Sequence, residues 1–429
     1  MDEIIAYITS FLLGKDTPQE IVNQVGYTSD KDAYGAYRVV VVPSDFFDEG
    51  IYGEEASLPV LPLENIEGVP LLFGKPIIEQ VGETTVVQAD IIASTYFLIS
   101  RYEEIVKYDI RDEHGRFIGK ESLPCKAGFI HRPIVDEYGR LLRKWLQMPE
   151  PQPSMARIYL THDMDAPFYC QTLRNVGREF LQGKNLFRLL KIMTGDLRND
   201  PYYVAQEWLL RQDKMLSEAL GRDKCEVYMF FKAGGEMKED KPLYKLTDQM
   251  ITTYIHDIIS LGGKIGLHSS YAAGLMPFLI KSEKERFRLD TGIEVSANRH
   301  HYLASRDPDH LHRLLYAGIT DDFTMGYADI AGFRLGTSRP VRWISPTERE
   351  LTSLTLHPLT VMDSTLSEQK YMGLDYEAAR KYCLQLIEQV QLNNGELILL
   401  WHNSSVSTTT AGYHRQLYEY LINTLKVKV

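Results

Sequence analysis

The chain has 429 residues, 44% of them hydrophobic and 24% charged, enough to bury a sizeable core and to suggest two or three domains. Its formal net charge of -11, with no run of five or more Lys/Arg, argues against nucleic acid or an anionic membrane surface as the main partner. The four cysteines, Cys125, Cys170, Cys225 and Cys383, are far apart and form no CxxC pair, so they indicate neither a disulfide framework nor a cysteine zinc site.

Met1 to Gly14 is acidic where a secretory signal needs basic residues, and its apolar positions recur at helical spacing, so a short amphipathic helix is expected. No later stretch reaches the roughly 18 consecutive apolar residues of a membrane span, and a soluble, cytoplasmic chain is expected. Arg38 to Pro43 reads as a strand, a Pro/Gly-rich stretch runs on to Pro76, and Asp90 through Tyr108 has the pattern of a helix. Met148-Pro-Glu-Pro-Gln-Pro153 has proline at alternate positions, which forbids helix and disfavours a central strand, so it reads as an interdomain linker. Residues 1–148 carry no recognisable catalytic spacing and are expected to pack beside the rest of the chain as an accessory domain. No internal repeat supports a solenoid or propeller.

Beyond the linker, short β-rich runs at 156–161, 226–231, 264–268, 293–296 and 396–401 alternate with helical patterns at 203–220, 243–261 and 376–390. That alternation predicts parallel strands with helical crossovers, as an α/β barrel or an open doubly wound sheet. In either, catalytic side chains gather where strands end and loops begin.

Four such places carry unusual polar residues. Tyr159-Leu-Thr-His-Asp-Met-Asp165 runs an apolar strand into two carboxylates, and a metal on one of them leaves the other to accept a proton. Gly266-Leu-His-Ser-Ser-Tyr271 ends a strand in His268, and Ser296-Ala-Asn-Arg-His-His-Tyr302 crowds a guanidinium, two imidazoles and a phenol together. Leu399-Leu-Trp-His402 is again an apolar strand ending in histidine. Singly, the bland readings hold: Asp residues cap turns and a lone histidine is usually structural. Together, four strands deliver Asp or His to one kind of edge. Two imidazoles and a carboxylate with open positions suit zinc, and also cobalt, nickel or iron.

Thr161-His-Asp-Met-Asp165, Gly266-Leu-His-Ser269, Arg299-His-His-Tyr302 and Leu400-Trp-His402 resemble the ordered motifs of the polysaccharide deacetylases (the NodB-homology, carbohydrate-esterase-4 superfamily), over residues 154–429. Gly326-Tyr-Ala-Asp-Ile-Ala-Gly-Phe-Arg-Leu-Gly-Thr337 and Ser100-Arg-Tyr-Glu-Glu104 resemble a bacterial branch with an extra N-terminal domain. The resemblance implies an incomplete or distorted (β/α) barrel preceded by a smaller α+β domain. It also implies a metal-dependent hydrolase that removes acetyl from an N-acetylated sugar or polysaccharide precursor.

Residue by residue, the resemblance makes Asp163 the catalytic base, Arg299 its orienting arginine and His402 the general acid. Asp165 and His268 become metal ligands. The second motif normally supplies two histidines four apart, but its second place is Ala272 here. His301, standing where the third motif has proline, is assigned as the missing ligand, with His300 the alternative. Neighbouring residues on an extended chain face opposite ways, so only one of the two is expected at the ion. A backbone N–H near Tyr302 is the expected second oxyanion donor, and Tyr302, Arg334, Asp322, Tyr271 and Trp401 are candidate substrate-binding residues. Arg334 and Asp322 are alternatively read as orienting His402 or capping a turn. Two other readings stay open: a carbohydrate-binding scaffold that the altered second motif has made inactive, and a hydrolase of another non-peptide C–N bond.

Overall fold

The computed structural model describes residues 1–169, 177, 180, 181, 183 and 199–428. The opening segment is the helix Asp2–Leu13, burying Ile4, Ile8 and Leu12 on one face. Strands β1 (Val25–Tyr27), β2 (Val39–Val41), β3 (Glu64–Ile66), β4 (Val69–Leu71), β5 (Gly74–Val81) and β6 (Thr84–Ala89) follow. They form a sheet in the order β1-β2-β6-β5, with β3 and β4 as a separate ribbon. The Val39–Val41 run is wholly buried because it lies between two parallel partners.

The helix expected over 90–108 is in fact two. Asp90 caps the first, Ile91–Ile99, by accepting from the Ala93 N–H. Arg101 then adopts a left-handed conformation with φ of 62°, which breaks the helix before Tyr102–Val106 begins. Met148 to Pro153 has neither helix nor strand.

The second half contains β7 (Arg157–Met164), β8 (Cys225–Phe231), β9 (Lys264–Ser269), β10 (Ala297–His300), β11 (Asp321–Met325), β12 (Val341–Ser345), β13 (Glu350–Pro358), β14 (Val361–Met362) and β15 (Glu396–Leu400). Among the described residues they form one sheet in the order β12-β13-β11-β10-β9-β8-β7-β15-β14, parallel except at β12–β13. The fold class is therefore mixed α/β with a largely parallel sheet. The strand expected at 293–296 lies instead at Ala297–His300, where polar side chains are buried by pairing with one another. Periodicity is blind to such a strand.

β13 pairs with β11, yet after Leu359 and Thr360 the same chain enters β14, which pairs with β15 at the far end of the order. His357 spans the two ends, with Nε2 3.1 Å from Asp321 and Nδ1 2.9 Å from Glu396. The sheet thus curls strongly, and the carboxyl ends of its strands converge.

The two halves share packing. One apolar cluster includes Ile8, Leu98 and Leu142 together with Met164, Trp343 and Leu356. Gly336 has φ of 65°, and a Cβ there would stand 2.7 Å from Leu98, so the backbone approach requires glycine. Buried Asp136 accepts from the Ser338 N–H at 2.8 Å and from Arg339 Nε at 2.9 Å. Cys125, Cys225 and Cys383 are free, and Cys170 lies outside the described residues. No helix among the described residues is long and apolar enough to cross a membrane.

Candidate metal centre

The convergent strand ends bring Asp165, His268 and His301 together, with one ligand atom from each lying within 4.8 Å of the others. His268 Nε2 is 3.0 Å from Asp165 Oδ1, and His301 Nε2 is 3.3 Å from the same oxygen. Each imidazole is oriented through its other nitrogen. His268 Nδ1 donates to the Arg299 carbonyl at 2.9 Å, and His301 Nδ1 stands 3.3 Å from the buried Asp240 carboxylate.

Since carbonyl and carboxylate oxygens only accept, both Nδ1 atoms carry a proton, which leaves each Nε2 free to offer a lone pair to a bound cation. The Nε2 atoms of both imidazoles and a carboxylate oxygen thus converge on one point, with His268 Nε2 within hydrogen-bond distance of Asp165. That donor set suits a divalent cation, with the outer hydrogen bonds that fix ligating histidines already in place. Burial opposes ionisation of Asp165, but His301, His268 and His402 outweigh it and hold the carboxyl well below its usual range. Burial also keeps the His301 pKa below the ordinary histidine value, favouring the neutral ring.

Asp163 sits two residues before Asp165, buried at the end of β7. Its Oδ1 accepts from Arg299 Nη1 at 3.1 Å, and its Oδ2 is 3.8 Å from His268 Nε2. Fully buried Arg299 is itself fixed by Thr161 Oγ1 at 2.7 Å, by the Phe323 carbonyl at 3.1 Å and by the Phe230 ring. Across the site, His402 Nε2 is 3.6 Å from Asp165 Oδ2. His402 Nδ1 contacts Asp363 at 2.8 Å. Burial disfavours its cation, yet the Asp363, Asp165 and Asp163 carboxylates push its pKa up to about 10.

His300 faces away from this cluster, with Nδ1 3.1 Å from Asn298 and 3.4 Å from Thr324 Oγ1, as alternation along an extended strand requires. Asp322 bonds Asn298 and Thr324 rather than His402. Arg334 is locked in a buried ion pair with Glu104, 2.7 Å away, and donates to the Gly326 carbonyl, so it is structural. Trp401 is buried against Tyr418 on the helix side of the sheet, with its Nε1 on the His414 carbonyl, and offers nothing to a ligand. Tyr302 and Tyr271 do stand together, their rings 5.4 Å apart, and Tyr302 is 39% exposed beside His301.

Three residues here escaped sequence reasoning. Asp363 follows Val361–Met362 at a strand end, the same signal that flagged the others, but the strand is only two residues long. Asp240 lies in a short 3-10 turn and also accepts from the Tyr271 and Ala272 N–H groups. His114, from the first half of the chain, packs 4.9 Å from the Tyr302 ring. No sequence signal points to it.

Residues 6–151 match the model of a family of unknown function, DUF7033. No curated protein matches the chain. Among solved structures, the chain is similar to a protein from Mycobacterium smegmatis inferred to be a polysaccharide deacetylase, at 12% identity and a TM-score of 0.40, covering 65% of this chain and 89% of that one. It is also similar to a protein from Bordetella bronchiseptica inferred to be a polysaccharide deacetylase involved in O-antigen biosynthesis, at 14% identity and a TM-score of 0.30, covering 64% of this chain and 82% of that one.

Proposed function

We propose that the chain is a metal-dependent hydrolase that removes an acetyl group from an N-acetylated sugar or polysaccharide precursor in the cytoplasm. The observation that carries this reading is the placement, around Asp165, of two imidazole nitrogens, an arginine-held carboxylate and an aspartate-held imidazole. In this reading residues 154–429 form the hydrolase unit, its curled sheet is a distorted barrel, and residues 1–148 are an accessory domain. Asp165, His268 and His301 would hold the ion, with zinc the best match to the donor set and cobalt, nickel or iron as alternatives.

A bound ion would polarise the acetamide carbonyl and favour ionisation of a water. The chain's own residues do the rest. Asp163, with Oδ1 tied to Arg299, presents Oδ2 toward His268 and takes the proton from the attacking water. The Tyr302 N–H is a second donor to the oxygen on which charge develops. His402 passes its Nε2 proton to the departing sugar nitrogen as the C–N bond breaks, while Asp363 keeps Nδ1–H fixed. Acetate and a free amino sugar result. Tyr302 and Tyr271 offer aromatic surface for the sugar.

The test is acetate release from a panel of soluble and lipid-linked N-acetylated sugars. Asp163→Asn and His402→Ala should each cost on the order of a hundredfold to ten-thousandfold in rate while the metal stays bound. Equal activity in wild type and Asp163→Asn sinks the mechanism. Sugar binding without acetate release across the panel would favour a carbohydrate-binding scaffold instead.

A further inference from the structure

The turn that follows His301 is unusual. Tyr302 and Leu303 are consecutive non-glycine residues at φ of 62° and 54°. Side chains disfavour that region, so the turn persists only where its surroundings hold it. The holding groups come from the first half of the chain. Arg116 Nη1 donates to the Tyr302 carbonyl at 2.8 Å. Arg101 donates to the Ser305 carbonyl at 2.9 Å and to Ser305 Oγ at 3.0 Å. Arg306 Nε returns a bond to the His114 carbonyl at 2.6 Å. Arg116 is buried and rigid, tied through Nε to Asp112 at 2.8 Å and through Nη2 to the Tyr371 hydroxyl at 3.1 Å.

Residues 302–306 are therefore gripped by three residues from two segments of the N-terminal half, Arg101 and the loop of His114 and Arg116, directly after a candidate ligand in a 3-10 turn beyond its strand. His268, by contrast, lies within β9 and needs no such support. We infer that the N-terminal half is a clamp for the metal centre, with Arg116 as a positioning residue that sets the Tyr302 turn and thereby the place of His301. This rests on the proposed metal site, and it gives the stretch matching a family of unknown function a role in the chemistry rather than beside it.

The experiment uses the full chain, with Arg116→Ala and Arg116→Lys compared with wild type. Cobalt(II) absorption and zinc affinity, by competition with a chromophoric chelator, report on the ligand set. Hydrogen exchange of residues 302–306 in metal-free protein reports on the turn. Arg116→Ala should weaken zinc binding tenfold or more, alter the cobalt spectrum and speed exchange at 302–306. Arg116→Lys, which keeps one donor and the charge, should recover part of each change.

A lowered melting temperature with unchanged affinity, cobalt spectrum and exchange would mean that Arg116 is merely structural, and overturns the clamp. Should Arg116→Ala fail to fold, Arg116→Lys is read by the same criteria. If wild type takes up neither cobalt nor zinc, the metal reading falls by itself. Exchange at 302–306 then still decides whether Arg116 holds the turn: unchanged exchange in the variant refutes it.

Discussion

His402 meets Asp363 twice: its Nδ1 stands 2.8 Å from one carboxylate oxygen, and its backbone N–H donates to the other at 2.7 Å. Asp363 is fully buried, and although burial opposes its ionisation, the His402 ring holds its pKa down at about 2. One carboxylate thus fixes both the ring and the chain that carries it. Asp363→Asn removes the negative charge and can turn an N–H toward Nδ1, leaving a neutral ring that no longer gives up its Nε2 proton readily. Turnover should fall about a hundredfold, with metal content unchanged. Steady-state rates alongside elemental analysis check this, and an unaffected rate would free Asp363 from the role.

Purified without chelator, the wild type should carry about one divalent ion per chain. His268→Ala and His301→Ala should each lose most of it, whereas His300→Ala should keep it, because His300 faces Asn298 and Thr324. Elemental analysis of the four proteins is sufficient. Retention in His301→Ala with loss in His300→Ala would reverse the assignment.

The His357 bridge predicts a pH dependence of stability away from the candidate metal centre. Burial disfavours its cation, but Asp321 and Glu396 raise its pKa to about 9. The folded value lies above the unfolded value of about 6.5, so the contribution is fully present below pH 6.5 and is lost as pH rises through 9. Two to three pKa units correspond to roughly 3 kcal/mol. Denaturant unfolding of wild type should weaken across that window, and His357→Gln should be both less stable at pH 6 and flatter from 6.5 to 9. Parallel profiles for the two proteins would contradict this.

A chain beginning at Gln152 should aggregate or fail to fold. It exposes the faces of Trp343, Leu335 and Leu356 that pack in one cluster with the first half, and it strands Arg334 without Glu104. Gel filtration and circular dichroism of this fragment give the answer. A soluble, folded, metal-binding product would show that the shared cluster is dispensable.

Much of this site was legible because its residues stand at the ends of strands whose apolar runs are conspicuous. Tyr159 to Asp165, Gly266 to His268 and Leu399 to His402 announce themselves. β10 was misplaced because Asn298, Arg299 and His300 look like loop residues and are buried only through partners elsewhere, such as Asp322 and Asp163. β11 to β13 went unseen because their mixed polar patterns lack a clean period. Asp240 and Asp363 act through other side chains, and such dependence is a property of the folded geometry. Arg334 and Trp401 misled for the converse reason: a polar or aromatic residue beside a motif can belong to the frame.

In the proposed metal site, a ligand taken from the turn at His301 instead of from the fourth place after His268 would also alter the topology of the site. Two histidines on one short helix could grasp an ion in an otherwise unfolded chain. Asp165 and His268 are 103 residues apart, and His301 lies on a further strand end, so a disordered chain would have to close two long loops to present all three. Such a chain has little affinity for the ion. An ion bound there would then stabilise almost only the native state, by about 2.7 kcal/mol at a free ion concentration a hundred times the dissociation constant. Metal supply would set the lifetime of the folded protein as well as its activity.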